Sequence, residues 1–291
     1  MTNMKRLPSW LKRRLGAGAV YNHTHNTISG LGLETICTNA NCPNIGQCWG
    51  RGTATVLILG NVCTRNCGFC SVGHGRPEKP DATEPGRVAE MAKAMKLKYL
   101  VITSVDRDDL SDGGASQFRD VVTRCREENP EIRFELLVPD FRDCQDEAIE
   151  ILAEVLPFVF GHNVETVPSL YSQVRPGADY QASLSLLRKA KEAYGDVETK
   201  SSIMLGLGEK EDEVMGVLRD LRSVGCDRIA IGQYLRPTKE ALEVVEYVEP
   251  QRFDWWADKA KELGFSWVMS SPFTRSSYHA ELEDTKNNDC T

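Results

Sequence analysis

The stretch TATVLILGNVCTRNCGFC, residues 53–70, decides how the rest of the chain is read. Its first half, from Ala54 to Gly60, is a short apolar run containing β-branched residues, which reads as a buried strand. Its second half places Cys63, Cys67 and Cys70 at C-x3-C-x2-C spacing on the loop that follows. Downstream, apolar runs alternate with segments of helical period, the pattern of βα units built around parallel strands. A helix is expected over residues 84–96 after the cysteine loop. Next come a strand over 98–105 with a helix over 115–128, and a strand over 133–138 with a helix over 146–155. Strands at 158–163, 199–205 and 228–234 are paired with helices at 180–194, 211–224 and 250–263. These six pairs are two short of an eight-fold barrel, and residues 265–269 offer one further strand.

The fold expected is therefore α/β, a partial (β/α)6 TIM-like barrel over residues 54–270. An N-terminal extension (1–53) precedes it and a C-terminal segment (271–291) follows, whose polar end at 286–291 reads as frayed. The alternative with the same alternation is an open doubly wound sheet. It lacks support, because no G-x-G-x-x-G fingerprint follows the first strand and no P-loop signature occurs.

With 291 residues, 41% of them hydrophobic, the chain can bury a substantial core. Lys+Arg number 35 against 42 Asp+Glu, a net charge of −7, so the broad attraction that nucleic acid needs is missing. No run of eighteen apolar residues is present, and residues 1–19 are basic without an apolar core or a small-residue cleavage site. A soluble, cytoplasmic protein with neither nucleic acid nor membrane as partner is expected.

Ten cysteines are many for such a protein, and six of them fall within 34 residues. Cys125, Cys144, Cys226 and Cys290 are scattered and read as incidental. A disulfide framework suits a small secreted domain, so metal is the better account of the six. Cys63, Cys67 and Cys70 follow a strand, where parallel α/β folds place their chemistry. Three thiolates can hold three irons of a 4Fe-4S cube and leave the fourth open to an outside ligand. Cys37, Cys42 and Cys48 form a second triplet at C-x4-C-x5-C spacing, again without an obvious fourth partner. The plainer alternative at each is a zinc site completed by a histidine, His74 for the first and His23 or His25 for the second. Phe69 is either core packing or a cover that keeps water from a cluster.

These residues, together with YLVITSVDRDDLSDGGASQF, HNVETVPSLY, VRPGADY, KSSIMLGLGE, IGQYLRPT and RSSYHA, make the chain similar to the lipoyl synthases. That family belongs to the radical S-adenosylmethionine enzymes, which are recognised by the C-x3-C-x2-C spacing. The resemblance runs from about Trp10 to Ala280. It implies a radical-generating 4Fe-4S cluster on Cys63, Cys67 and Cys70, with S-adenosylmethionine chelating the open iron. It implies an auxiliary 4Fe-4S cluster on Cys37, Cys42 and Cys48, whose fourth ligand is a serine of Arg275 to Tyr278. Ser277 is the assignment and Ser276 the fallback. A serine oxygen is harder and more displaceable than a thiolate, which suits a cluster that must open and be consumed.

The reaction implied inserts two sulfur atoms at C6 and C8 of an octanoyl chain carried on a lysine. An adenosyl radical abstracts hydrogen, and the auxiliary cluster supplies the sulfur. The resemblance further implies octanoylated lipoyl carriers as partners, such as 2-oxoacid dehydrogenase E2 subunits and the glycine cleavage H protein, with flavodoxin or ferredoxin as electron donor. Thr103, Ser104 and Asp106 are candidates for the methionyl amine, and Asn163 and Glu165 for the ribose hydroxyls. Arg175 and Lys200 are further candidates to meet a carboxylate.

Two departures stand out. Gly161 replaces the family's first Asn of NHNVETV, and Lys239 to Ala241 stand where a His-Leu-Pro segment is more usual. Other radical sulfur-inserting or methylthiolating chemistry is the nearest alternative. A non-catalytic metal-stabilised binding or electron-carrier module is the alternative of a different class.

Overall fold

The computed structural model describes residues 7–13 and 16–280. The chain runs through α1 (Ala19–Gly30), β1 (Glu34–Thr35), β2 (Thr55–Ile58), α2 (Glu84–Ala94), β3 (Tyr99–Ser104), α3 (Ala115–Glu128), β4 (Arg133–Leu137) and α4 (Gln145–Ala153). It continues through β5 (Val159–Gly161), α5 (Tyr180–Tyr194), β6 (Glu198–Leu205), α6 (Glu211–Ser223), β7 (Arg228–Gln233), α7 (Pro250–Glu262) and β8 (Trp267–Ser271). The eight strands form one sheet in sequence order. All neighbours are parallel except β1, which pairs antiparallel with β2. Six βα pairs and one further strand agree with the sequence pattern, although that last strand starts two residues later than expected, at Trp267.

The strands are largely buried on both faces because helices cover the outside and side chains fill the inside. In β2 every residue of TVLI is buried. The helices present one apolar stripe each: α3 buries Phe118, Val121, Val122 and Cys125 at helical spacing, against α2 and α4. Their ends are set locally. Asp179 accepts from Ala182 N–H at 2.7 Å to start α5, and Gly195, at φ 60°, ends it.

Beneath the sheet's C-terminal rim the interior is closed by a polar floor. Lys200 Nζ donates to both oxygens of Glu135 at 3.0 and 3.1 Å, Tyr99 Oη adds a bond at 3.1 Å, and the Lys200 ammonium stands 4.6 Å from the centre of the Trp267 ring. Both charged side chains are fully buried. Lys200 thus meets a carboxylate of its own chain rather than one of a ligand.

Among the described residues no pairing joins β8 to β1, so the barrel is partial. Residues 272–280 span this seam. Asn44 Nδ2 donates to the Phe273 carbonyl at 2.7 Å, Thr55 Oγ1 to Ser277 Oγ at 2.8 Å, and Tyr278 Oη to Gln47 Oε1 at 2.9 Å. Ala280 packs inside against Tyr99 and Val101. The residues just past 270 are therefore structural wall, while 286–291, including Cys290, lie outside the described residues. No helix among the described residues is long and apolar enough to cross a membrane.

Candidate active site: two cysteine loops on one cavity

The chain leaves β2 through two consecutive left-handed residues, Leu59 (φ 67°) and Gly60 (φ 84°). The Leu59 N–H is held by Glu84 Oε2 at 3.0 Å, and Gln117 Nε2 donates to the same oxygen at 2.7 Å. This buried carboxylate throws the following loop across the top of the sheet. A short parallel pair, Val62–Cys63 with Gly73–His74, closes the base of the loop. At its tip Gly68 is sandwiched: its N–H donates to the Val174 carbonyl at 2.9 Å and its carbonyl accepts from Leu242 N–H at 2.8 Å. A Cβ there would lie 2.8 Å from Gln173 O and 2.9 Å from Leu242 Cδ1, so the position requires glycine. Phe69 packs with Val174, Leu207, Tyr234, Leu242 and Val244, an apolar cover over the loop.

Arg65, between two of the cysteines, is buried and binds three carboxylates. It makes two bonds to Asp108 (2.9 and 2.6 Å), two to Asp140 (2.5 and 2.7 Å), and approaches Asp106 at 3.5 Å. These come from the ends of β3 and β4, so the clamp ties the cysteine loop to the rim of the sheet. Cys63 Sγ accepts from the N–H groups of Arg65 and Asp106 at 3.4 and 3.3 Å, and Cys70 Sγ from Val72 N–H at 3.4 Å.

Two short helices, Ile36–Asn39 and Ile45–Gly50, carry Cys37 and Cys48 of the second triplet, and Cys42 lies on the turn between them. Thr35 caps the first, accepting from Thr38 N–H at 3.3 Å, and Cys42 N–H closes back on the Cys37 carbonyl at 3.0 Å. The loops touch directly: Ser71 Oγ donates to the Asn39 carbonyl at 2.8 Å.

All six cysteines line one cavity of about 590 Å³, together with Thr103, Ser104, Asp106, Asn163, Glu165, Arg175, Ser276 and Ser277. Of the site residues proposed from sequence, all but Lys200, which is spent on Glu135 beneath, line this one chamber. His23, His25 and His74 are exposed and stand outside its lining, so neither triplet is completed by the histidine weighed for it. The nine described cysteines are free thiols. Burial pushes Cys37 and Cys63 up to about 11 and Cys67 up to about 12, and raises Cys70 as well. Neighbouring Asp106 adds to the effect at Cys63. Such thiols become thiolates against the positive charge of bound metal.

Polar groups around the chamber fit that loading. The buried Trp49 indole N–H is without a hydrogen-bond partner and lies near enough to Cys37 to favour its thiolate. Ser104 Oγ is buried, unpartnered and on the lining, whereas Thr103 Oγ1 is spent on the Leu137 carbonyl at 2.8 Å. Three thiols per loop with N–H donors to sulfur form the donor set of an iron-sulfur cube with one open iron.

Elsewhere the sequence reading is refined. Arg275 lies against the cavity facing Cys42 and Glu165. Gly161 creates no gap, since a Cβ there would make ordinary contacts of 3.5 Å, and His162 beside it is fully engaged. The Arg65 clamp, the Ser71–Asn39 link and the Thr55–Ser277 bond were not anticipated. The only sequence hint was Arg65 between two cysteines and the acidic run at 106–109.

Residues 57–221 match the model of the radical SAM superfamily, and residues 1–42 match the N-terminal domain of lipoyl synthase of that family. The lipoyl synthase of Photorhabdus laumondii is 49% identical over 289 residues, covering 97% of this chain and 88% of the relative. That of Pseudoalteromonas translucida is 51% identical over 287 residues, covering 96% and 88%. Among solved structures, methylornithine synthase superposes with a TM-score of 0.55 at 14% identity, covering 89% of this chain and 87% of that one. Escherichia coli coproporphyrinogen III oxidase, described as a radical SAM enzyme, gives 0.53 at 14% identity, with coverage of 72% and 52%. These two speak to the fold. With the match to its relatives running nearly end to end, the chain belongs to the lipoyl synthase family of radical S-adenosylmethionine enzymes, whose cofactors are S-adenosylmethionine and two 4Fe-4S clusters.

Proposed function

We propose that this cavity inserts two sulfur atoms, at C6 and C8, into an octanoyl chain borne on a lysine of a lipoyl carrier domain. The observation that carries the reading is the convergence of two cysteine triplets on one chamber. Cys63, Cys67 and Cys70 are assigned the radical-generating cluster. Cys37, Cys42 and Cys48 are assigned the auxiliary cluster, with Ser277 as its fourth protein ligand. When bound, these groups supply the reducing electron, the hydrogen-abstracting radical and the sulfur.

The chain's own residues bind, orient and exclude water. Arg65 holds the first loop against the rim, and the Phe69 cover keeps solvent from it. Ser104 and Asp106 face the side where the methionyl amine would sit, and Asn163 and Glu165 the ribose. Leu57, Leu97, Val101 and Leu137 give the lower cavity apolar walls suited to an octanoyl chain. The division at residues 53 and 270 then has a functional sense: an extension bearing one cluster, a barrel bearing the other, and a segment that supplies the serine. Carriers of the E2 and H-protein kinds, a flavodoxin or ferredoxin donor and a cytoplasmic location belong to the same proposal.

The test is anaerobic reconstitution followed by turnover of an octanoyl-lysine peptide. About eight irons per chain and a dithiolane product are expected. Two zinc ions per chain, or octanoyl peptide returned without sulfur, would sink the reading.

A further inference from the structure

The two serines of the C-terminal turn serve opposite sides of the cavity. Ser277 Oγ accepts from Thr55 Oγ1 at 2.8 Å, on the strand that leads toward the first cysteine loop. Ser276 Oγ donates instead to Asn163 Oδ1 at 3.0 Å, beyond the end of β5. Asn163 Nδ2 donates to Glu165 Oε1, also at 3.0 Å, which turns its Oδ1 toward Ser276, and the Ser276 hydroxyl holds the amide there from the other side. Arg175 Nη1 fixes the Asn163 backbone carbonyl at 2.9 Å.

Glu165 is held just as firmly. Its backbone is left-handed, φ 65°, a conformation unusual for a residue with a side chain. Pairing with β6 maintains it: Glu165 N–H donates to the Ser202 carbonyl at 3.0 Å, and the Glu165 carbonyl accepts from Met204 N–H at 2.9 Å. Strain locked in by regular pairing aims the carboxylate. The turn is itself braced, by Thr274 N–H to the Ser271 carbonyl at 3.0 Å and Tyr278 N–H to the Arg275 carbonyl at 3.0 Å. It approaches this closely because residue 232 is glycine; a Cβ there would stand 2.1 Å from Thr274 O.

We propose that Ser276 is a positioning residue for S-adenosylmethionine, orienting the Asn163 amide and through it the Glu165 carboxylate, so that one turn supplies an auxiliary-cluster ligand on one side and cofactor alignment on the other. The proposal rests on the reading of Asn163 and Glu165 as cofactor contacts. One neutral hydrogen bond of this kind corresponds to about a three- to tenfold change in affinity.

The experiment titrates S-adenosylmethionine into the reconstituted holoenzyme by anaerobic equilibrium dialysis, alongside KM and kcat for adenosyl cleavage. Ser276→Ala is expected to raise Kd and KM about three- to tenfold, with kcat and iron content unchanged, and Ser276→Thr to restore both. Glu165→Gln is the companion variant. If it weakens binding while Ser276→Ala does not, the proposal is overturned. If neither changes Kd, the proposal falls together with the reading of Asn163 and Glu165. Loss of iron in Ser276→Ala at unchanged Kd would make Ser276 the cluster ligand and overturn the proposal as well.

Discussion

Thr55 Oγ1 donates a 2.8 Å hydrogen bond to Ser277 Oγ across 222 residues of chain, joining the first strand of the barrel to the turn beyond the last. It orients the one hydroxyl assigned to the auxiliary cluster. Ser277→Ala should spare adenosyl cleavage and abolish most sulfur transfer. Thr55→Val, which keeps the shape and removes the donor, should slow sulfur transfer by about three- to tenfold. Product analysis against 5′-deoxyadenosine release checks both, and parallel loss of the two activities in Ser277→Ala would contradict the assignment.

Arg65 forms ion pairs with all three carboxylates of its clamp, Asp106, Asp108 and Asp140. Arg65→Met leaves buried Asp140 without its partner, at a cost of roughly 3–5 kcal/mol concentrated on the first cysteine loop. Iron content should fall from about eight to about four per chain, because the second triplet is braced by other contacts. Retention of both clusters would show that the clamp is dispensable.

The Glu135–Lys200 pair under the cavity is fully buried, and burial pulls the Lys200 ammonium below its ordinary range while Glu135 opposes it. Lys200→Met should destabilise by roughly 3–5 kcal/mol, since it strands a buried carboxylate. Lys200→Met combined with Glu135→Leu should recover most of that loss. Urea midpoints of the two variants decide it; equal midpoints would mean the pair is not a unit.

His162 is buried against the Val138 carbonyl at 3.0 Å and Ser183 Oγ at 3.1 Å. A carbonyl only accepts, so Nδ1 carries the proton and Nε2, the nitrogen facing Ser183, is the unprotonated one. Burial, with Arg175 next, pushes the imidazole down to about 4. The folded protein therefore binds fewer protons than the unfolded chain between pH 6.5 and 4. Stability from this group is complete above pH 6.5 and declines as pH falls through that window, by at most about 3 kcal/mol. Urea midpoints at pH 7.5 and 5 should differ accordingly, and His162→Asn should show a smaller difference.

Much of the barrel was legible because apolar periodicity is a local signal. The helices Ala115–Glu128 and Tyr180–Tyr194 fall where their stripes predict, and β2 lies within the expected apolar run. Helix α1 was not legible: its sequence AVYNHTHNTISG buries only Thr24 and Ile28, too little for a stripe. Strand β1 has two residues, below any pattern. In the site, the cysteines were readable from spacing alone, whereas Ser277 was reached only through the family likeness. Arg65 with Asp140, Thr55 with Ser277 and Ser276 with Asn163 join distant segments, and no local pattern encodes such pairs.

The closing of the seam by residues 272–280 has a consequence for biogenesis. The thiols at positions 37–70 leave the ribosome about two hundred residues ahead of the turn that finishes the chamber. A nascent polypeptide thus exposes both sulfur sets to bulk solvent until that turn has emerged. Enclosure of the loaded centres accordingly waits on a segment far downstream of the ligands it shields.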